Sequence, residues 1–258
     1  DHHQGNLHLD LLSKASDEAR ESAFMNTSVS GRMALIAPLV GRITGVVGHL
    51  ESAKNAAERV LGYAQATPLA AGYSNAGLAM IAVLSGDADL AGKQYAAIKP
   101  WRHTFSLFVI SADRLLGLLA QIMGKLDQAI IHFDDALIFC RKGGYRPELA
   151  WTCCDYADVL RVRDTEGDRA KAIALLDESL AISSNLGMRP LMERVLARKL
   201  ELQGVASVDI RTSIDAVASA VSIERPDLRH HSAPDGTVTI LFSDIEGFTP
   251  MTERLGDQ

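Results

Sequence analysis

One pattern recurs four times and limits the fold of this chain more than any other feature: a glycine, four residues, an alanine, three residues, then a position that is bulky in three of the copies. The copies are Gly48, Ala53, Ala57; Gly86, Ala91, Tyr95; Gly124, Ala129, Phe133; and Gly167, Ala172, Leu176. Their glycines stand 38, 38 and 43 residues apart. Such a period is the length of a helix pair. In this reading the glycine ends the first helix in a left-handed conformation that is costly for other residues, and the alanine lets the second helix approach closely. The bulky residue then fills the groove. Each pair has an apolar stripe that it cannot bury alone, so neighbouring pairs have to stack.

Composition agrees with helices. The chain is 47% hydrophobic and 22% charged, ordinary for a folded protein, but only 5% aromatic, and it is rich in alanine and leucine. In the third copy Leu116 and Gly117 precede the turn glycine and Ala136 and Leu137 follow it, all at tetratricopeptide offsets. The chain resembles that repeat family. The fourth copy, Trp151 to Leu180, carries its five extra residues in the polar stretch Arg163 to Arg169, which suits a lengthened turn between its two helices. Between the third and fourth copies, Arg141 and Lys142 followed by Gly143 and Gly144 supply cations and a cap at a helix end, and Pro147 opens the next helix. A stacked array leaves a concave face suited to a protein or peptide, and two roles stay open for it, a spacer or a regulatory interaction surface.

Several function classes are disfavoured. A formal net charge of −6 gives no basic footprint for neutralising phosphates, so no nucleic-acid contact is expected. The three cysteines, Cys140, Cys153 and Cys154, form no C-x-x-C pair and read as reduced thiols in a helix. No uninterrupted apolar run approaches the roughly 18 residues that span a bilayer, and no signal segment opens the chain, so a cytoplasmic protein without membrane contact is expected. His2, His3 and His8 near the start, and His230 and His231 in a polar connector, read as solvated side chains rather than metal ligands. The opening residues hold one plausible helix, Leu9 to Phe24, followed by the small and polar stretch Asn26 to Gly31.

After Leu202 the pattern changes. Asp209 to Ile223 is one more amphipathic segment, and Glu224 to Gly236 is a polar, proline-containing connector. Thr237 to Ser243 is the first strong strand signal in the chain, and it stops at Asp244. Thr249 and Pro250 make an N-cap and first helical position for a following helix. A strand, a tight loop and a helix in that order aim backbone N–H groups at a phosphate, while a carboxylate at the strand end can hold a divalent metal against it.

The literal string adds specificity. Phe242 to Thr249, preceded by Val238 to Leu241, closely resembles the first metal-binding motif of class III adenylate and guanylate cyclases. The resemblance implies that Asp244 ligates both catalytic Mg2+ or Mn2+ ions, that Ile245 offers its backbone carbonyl to one of them, and that Gly247, Phe248 and Thr249 cradle the triphosphate. In that family the metals assist attack of the ribose 3′-hydroxyl on the α-phosphate of a nucleoside triphosphate, releasing pyrophosphate. The site forms between two chains, which implies a homodimer. The family's second metal aspartate and its transition-state asparagine and arginine have no counterpart up to Gln258, so the chain reads as a catalytically incomplete fragment of a bacterial signalling protein.

Similar repeat arrays in large bacterial signalling proteins follow a P-loop ATPase, but no G-x-x-x-x-G-K-[ST] occurs here. The expected architecture is therefore mainly α: an N-terminal segment, 1–33; a tetratricopeptide-like α-solenoid of stacked helix pairs, 34–203; a linker with one helix, 204–235; and a truncated α/β cyclase start, 236–258. The expected role is regulatory, in a cyclase whose substrate is ATP, with GTP as the alternative. The competing role is a non-enzymatic interaction or transcription-regulatory scaffold with a degenerate cyclase-like tail.

Overall fold

The computed structural model describes residues 10, 11, 14, 23–106 and 110–203, all within the unit Asp1–Ile214. Those residues are mostly helical and pack in the manner of a helical repeat. Nine α-helices are described: α1 (Ala23–Thr44), α2 (Leu50–Gly62), α3 (Pro68–Ser85), α4 (Ala88–Ile98), α5 (Ala112–Ile122), α6 (Leu126–Gly143), α7 (Arg146–Arg163), α8 (Asp168–Asn185) and α9 (Arg189–Gln203). Between α4 and α5 the chain makes a 3-10 turn, Lys99–Trp101, and two antiparallel two-residue strands, β1 (Phe105–Ser106) and β2 (Ile110–Ser111).

The glycine and alanine of the repeat meet the expected physical demands in most copies. Gly86, Gly124 and Gly167 take left-handed φ of 69°, 72° and 85°. In the first copy the left-handed residue is Gly45 rather than Gly48, and in the fourth Asp164, at φ 49°, ends α7 while Gly167 precedes α8. The longer fourth turn thus separates by three residues the two ends that the adjacent Gly86 and Asp87 set in the second copy. All four alanines, Ala53, Ala91, Ala129 and Ala172, are fully buried, as are Phe133 and Leu176. Side-chain caps add to the definition: Thr67, Asp87 and Ser111 accept from the N–H groups of Ala70, Leu90 and Arg114, each worth about 1 kcal/mol.

Each helix packs on the next in sequence, and the first helices of the pairs also pack on one another: α1 on α3, α3 on α5, α5 on α7 and α7 on α9. The row bends far enough for α9 to touch α1. A continuous core runs along it from Leu35 through Met80, Leu116, Phe133, Tyr156 and Leu176 to Val195. A smaller cluster, including Met33, Ala57 and Ile81, sits under α2.

Two local features differ from expectation. α1 begins at Ala23 and includes the small, polar stretch through Gly31, because Gly31 is spent on packing: a Cβ there would stand 3.3 Å from the Ala70 carbonyl oxygen of α3. α3 carries no charge over 18 residues, reaches a mean hydropathy of 1.2 and is long and apolar enough to cross a membrane, yet 56% of it is buried among the neighbouring helices. The candidate helix 209–223, the connector and the cyclase-like strand, loop and helix lie outside the described residues.

Candidate functional site

Helix α7 is buried on every side from Glu148 to Leu160, although three of those positions are acids. Glu148, Asp155 and Asp158 are spaced by seven and three residues, which puts them on one helical face. Carboxylates so placed must be paired. The partners come from three other helices: Arg42 at the end of α1, Arg114 in the first turn of α5, and Arg194 and Arg198 one turn apart on α9.

Arg114 sits at the centre of this arrangement. Its Nη1 donates to Glu148 Oε2 at 2.8 Å, and its Nε donates to Asp155 Oδ2 at 2.9 Å. Glu148 is completed by the backbone N–H of Ser111, which donates to Oε1 at 2.8 Å. Arg42 Nη2 donates to the other Asp155 oxygen, Oδ1, and Arg194 Nη2 lies 4.0 Å from that atom and 3.7 Å from Asp158 Oδ2. Arg198 Nε approaches Asp158 Oδ1 at 2.6 Å. The guanidinium carbons of Arg114 and Arg194 lie 5.4 and 5.9 Å from the ring centroid of Trp151, within cation–π range.

The electrostatics follow from burial and count. Asp155 has no solvent exposure, which by itself raises a carboxyl pKa, but Arg42, Arg114 and Arg194 reverse that and bring it down to about 2. Glu148 faces mainly Arg114, and its burial outweighs that attraction, so its pKa is raised. Burial, with Arg194 and Arg114 nearby, lowers the Arg42 pKa against the pull of Asp155. The Nε atoms of Arg42 and Arg194 are buried without a hydrogen-bond partner. The site thus joins the beginning, middle and end of the described array through one carboxylate, and its guanidinium groups outnumber the α7 acids.

A concavity of about 260 Å³ lies between the start of α3 and the end of α4, walled by Leu69, Tyr73, Ile98, Trp101 and Phe105, with Asn75 and Thr104 as polar groups. The cysteines offer no reactive centre: all three are free and buried, and burial pushes the Cys140 and Cys154 thiols up to about 12 and the Cys153 thiol upward as well.

The sequence-derived site residues Asp244, Ile245, Gly247, Phe248 and Thr249 lie outside the described residues. The arginine and carboxylate network is absent from the sequence expectations. Its legible trace was the acidic face of α7, set among Trp151, Cys153, Cys154 and Tyr156, together with the i,i+4 pair Arg194 and Arg198.

No protein family and no curated protein matches the chain. Among solved structures it is similar to the crystal structure of BtubC (BKLC) from P. vanneervenii, with a TM-score of 0.52 and 14% sequence identity over 93% of this chain and 99% of that one. At that identity the likeness concerns the fold alone.

Proposed function

We propose that this chain is the regulatory helical-repeat portion of a class III nucleotidyl cyclase, a cytoplasmic signalling enzyme that converts a nucleoside triphosphate, ATP by first choice and GTP as the alternative, to a cyclic nucleotide and pyrophosphate. The observation that carries the reading is the string Phe242 to Thr249, directly after the apolar run Val238 to Leu241, in one chain with a helical array. In this proposal the array is tetratricopeptide-like, a solenoid whose inner face takes a protein or peptide. Asp244 and the Ile245 carbonyl hold Mg2+ or Mn2+, which stabilise the entering and leaving oxygens, and Gly247, Phe248 and Thr249 bind the triphosphate. Two chains meet to complete the site.

The arginine network supports a relay role. It ties α1 and α5 to α7 and α9, and α9 is the last described helix before the connector that leads to Gly236. A partner that redistributes those pairs changes the setting of α9, which is where the chain continues toward the cyclase string. Cyclic AMP and cyclic GMP production by the natural full-length polypeptide, with Mg2+ or Mn2+, tests the enzyme reading. Activity that disappears in Asp244→Ala is expected. Activity retained in that variant overturns the metal assignment, and no activity in the wild type favours a non-enzymatic scaffold.

A further inference from the structure

Outside the arginine network, α5, α6 and the 3-10 turn segment bring together residues that have no role in the proposed function. Asp113, in the first turn of α5, and His132 and Asp135, on α6, place one ligand atom each within 4.8 Å of the others. Asp113 has no solvent exposure and His132 has 4%. Arg102 now bridges the two acids, donating from Nε to Asp113 Oδ1 at 3.3 Å and from Nη2 to Asp135 Oδ2. His103 approaches from the same segment: its backbone N–H donates to Asp113 Oδ2 at 2.7 Å, and its Nδ1 lies 3.3 Å from that oxygen.

His132 supplies the second observation. Its Nε2 is engaged with the Tyr95 hydroxyl at 2.7 Å, and that hydroxyl also accepts from Gln128 Nε2 at 2.7 Å. Its Nδ1 is buried with no hydrogen-bond partner. With Nε2–H donating to the Tyr95 hydroxyl, one of the two tautomers that this contact allows, Nδ1 presents a bare lone pair, the arrangement that outer-shell partners impose on metal-binding histidines. We propose that Asp113, His132 and Asp135 bind a divalent transition-metal ion of the Zn2+ class, and that Arg102 holds the place of that ion until the metal displaces it.

Charge and geometry both favour the exchange. Two carboxylates face one guanidinium, whereas one dication neutralises them fully. A tetrahedral ion with bonds of about 2.0–2.2 Å sets its ligands roughly 3.4 Å apart, against the 4.8 Å within which the three ligand atoms now lie. Arg102 and Asp135 are partly exposed, at 35% and 28%, which provides both an exit for the arginine and an entry for the ion. His103, 58% exposed, is the fourth ligand within reach. Mixed nitrogen and oxygen donors select a borderline ion over Mg2+, which requires an octahedral set of oxygens.

The test is a Zn2+ titration of the whole chain, read by calorimetry and by thermal unfolding, with Mg2+ in parallel. The unfolding readout matters because His2, His3, His8, His230 and His231 can also take up zinc. Zinc is expected to raise the unfolding temperature of the wild type, and Mg2+ is not. Arg102→Gln removes the competitor and is expected to bind zinc about tenfold more tightly. His132→Asn is expected to lose the stabilisation, and Asp135→Asn, at the more exposed ligand, to weaken it by at least the roughly tenfold that an outer partner contributes. Equal zinc stabilisation in the wild type and His132→Asn overturns the proposal, as does unchanged affinity in Arg102→Gln. If His132→Asn fails to fold, undiminished zinc affinity in Asp135→Asn is sufficient to refute it.

Discussion

Pro38 has no N–H, so the carbonyl of Ala34, four residues earlier in α1, lacks its helical donor. That oxygen lies where a side chain on Gly77 of α3 would begin: a Cβ built on Gly77 stands 2.0 Å from it and 2.5 Å from the Ala34 carbonyl carbon. The two helices can be this close only because Gly77 has no side chain. Gly72, one turn earlier in the same helix, has open space around its missing Cβ. Alanine substitutions at the two positions are therefore expected to have opposite signs. Gly77→Ala is expected to destabilise by about 3 kcal/mol through overpacking, and Gly72→Ala to stabilise by about 0.5–1 kcal/mol through helix propensity. Urea unfolding of the two variants measures both, and a similar change in each would contradict the packing account. The sequence offers little warning of this, since a glycine inside a helix carries no spacing signal and its contact is 43 residues away.

At the scale of elements, the repeat was legible because each pair solves one local problem: a left-handed exit, a close approach and a filled groove. The bulky position works against the preceding helix. The Phe133 ring of α6 is fully buried, and a Cβ on Gly117 of α5 would lie 2.8 Å from it, so the ring occupies the notch that the glycine leaves. On its other side the ring stacks on Tyr156 of α7, with centroids 5.4 Å apart. Gly117→Ala is expected to lose about 1–3 kcal/mol in the wild type and less in a Phe133→Leu background. A double-mutant cycle should give a coupling of roughly 0.5 kcal/mol or more, and additive losses would rule out the notch. The segment from Lys99 to Ser106 shows the converse, because no repeat position governs it. Its course depends on contacts such as Arg102 with Asp113 and Asp135, and on the T-shaped pair of Phe105 and Tyr145, with centroids 4.5 Å apart.

At the scale of the whole described array, the organising contact is Asp155, reached by arginines that lie 113, 41 and 39 positions away in sequence. No spacing rule reports such a convergence, which is why the network is absent from the sequence expectations. The cyclase-like string is the reverse case, plain as a string and outside the described residues. Replacing a buried ion pair with apolar groups is often neutral, but removing one member leaves the others uncompensated, so Asp155→Asn is expected to cost about 3–5 kcal/mol at neutral pH. Its pH dependence is the sharper check. In the native state the carboxyl titrates at about 2, below the roughly 3.9 of an unfolded aspartate. Its stabilisation is therefore complete above about pH 4 and declines as the pH falls toward 2, by an amount of order 2 kcal/mol. Asp168, whose pKa is lowered by its hydrogen bonds from Arg163, loses stability over the same acid range in both proteins. Glu148 has the opposite sign: its raised pKa favours the folded state as pH falls, and it too is present in both. The difference in unfolding free energy between wild type and Asp155→Asn cancels Asp168 and is dominated by Asp155, with a smaller change from Glu148, whose pKa Asp155 helps to raise. That difference should be flat from pH 7 to about 4 and shrink by about 2 kcal/mol on approach to pH 2. A difference that stays constant over that interval would mean that Asp155 is not held ionised by the three arginines, and that the contact joining α1, α5 and α9 to α7 is not electrostatic.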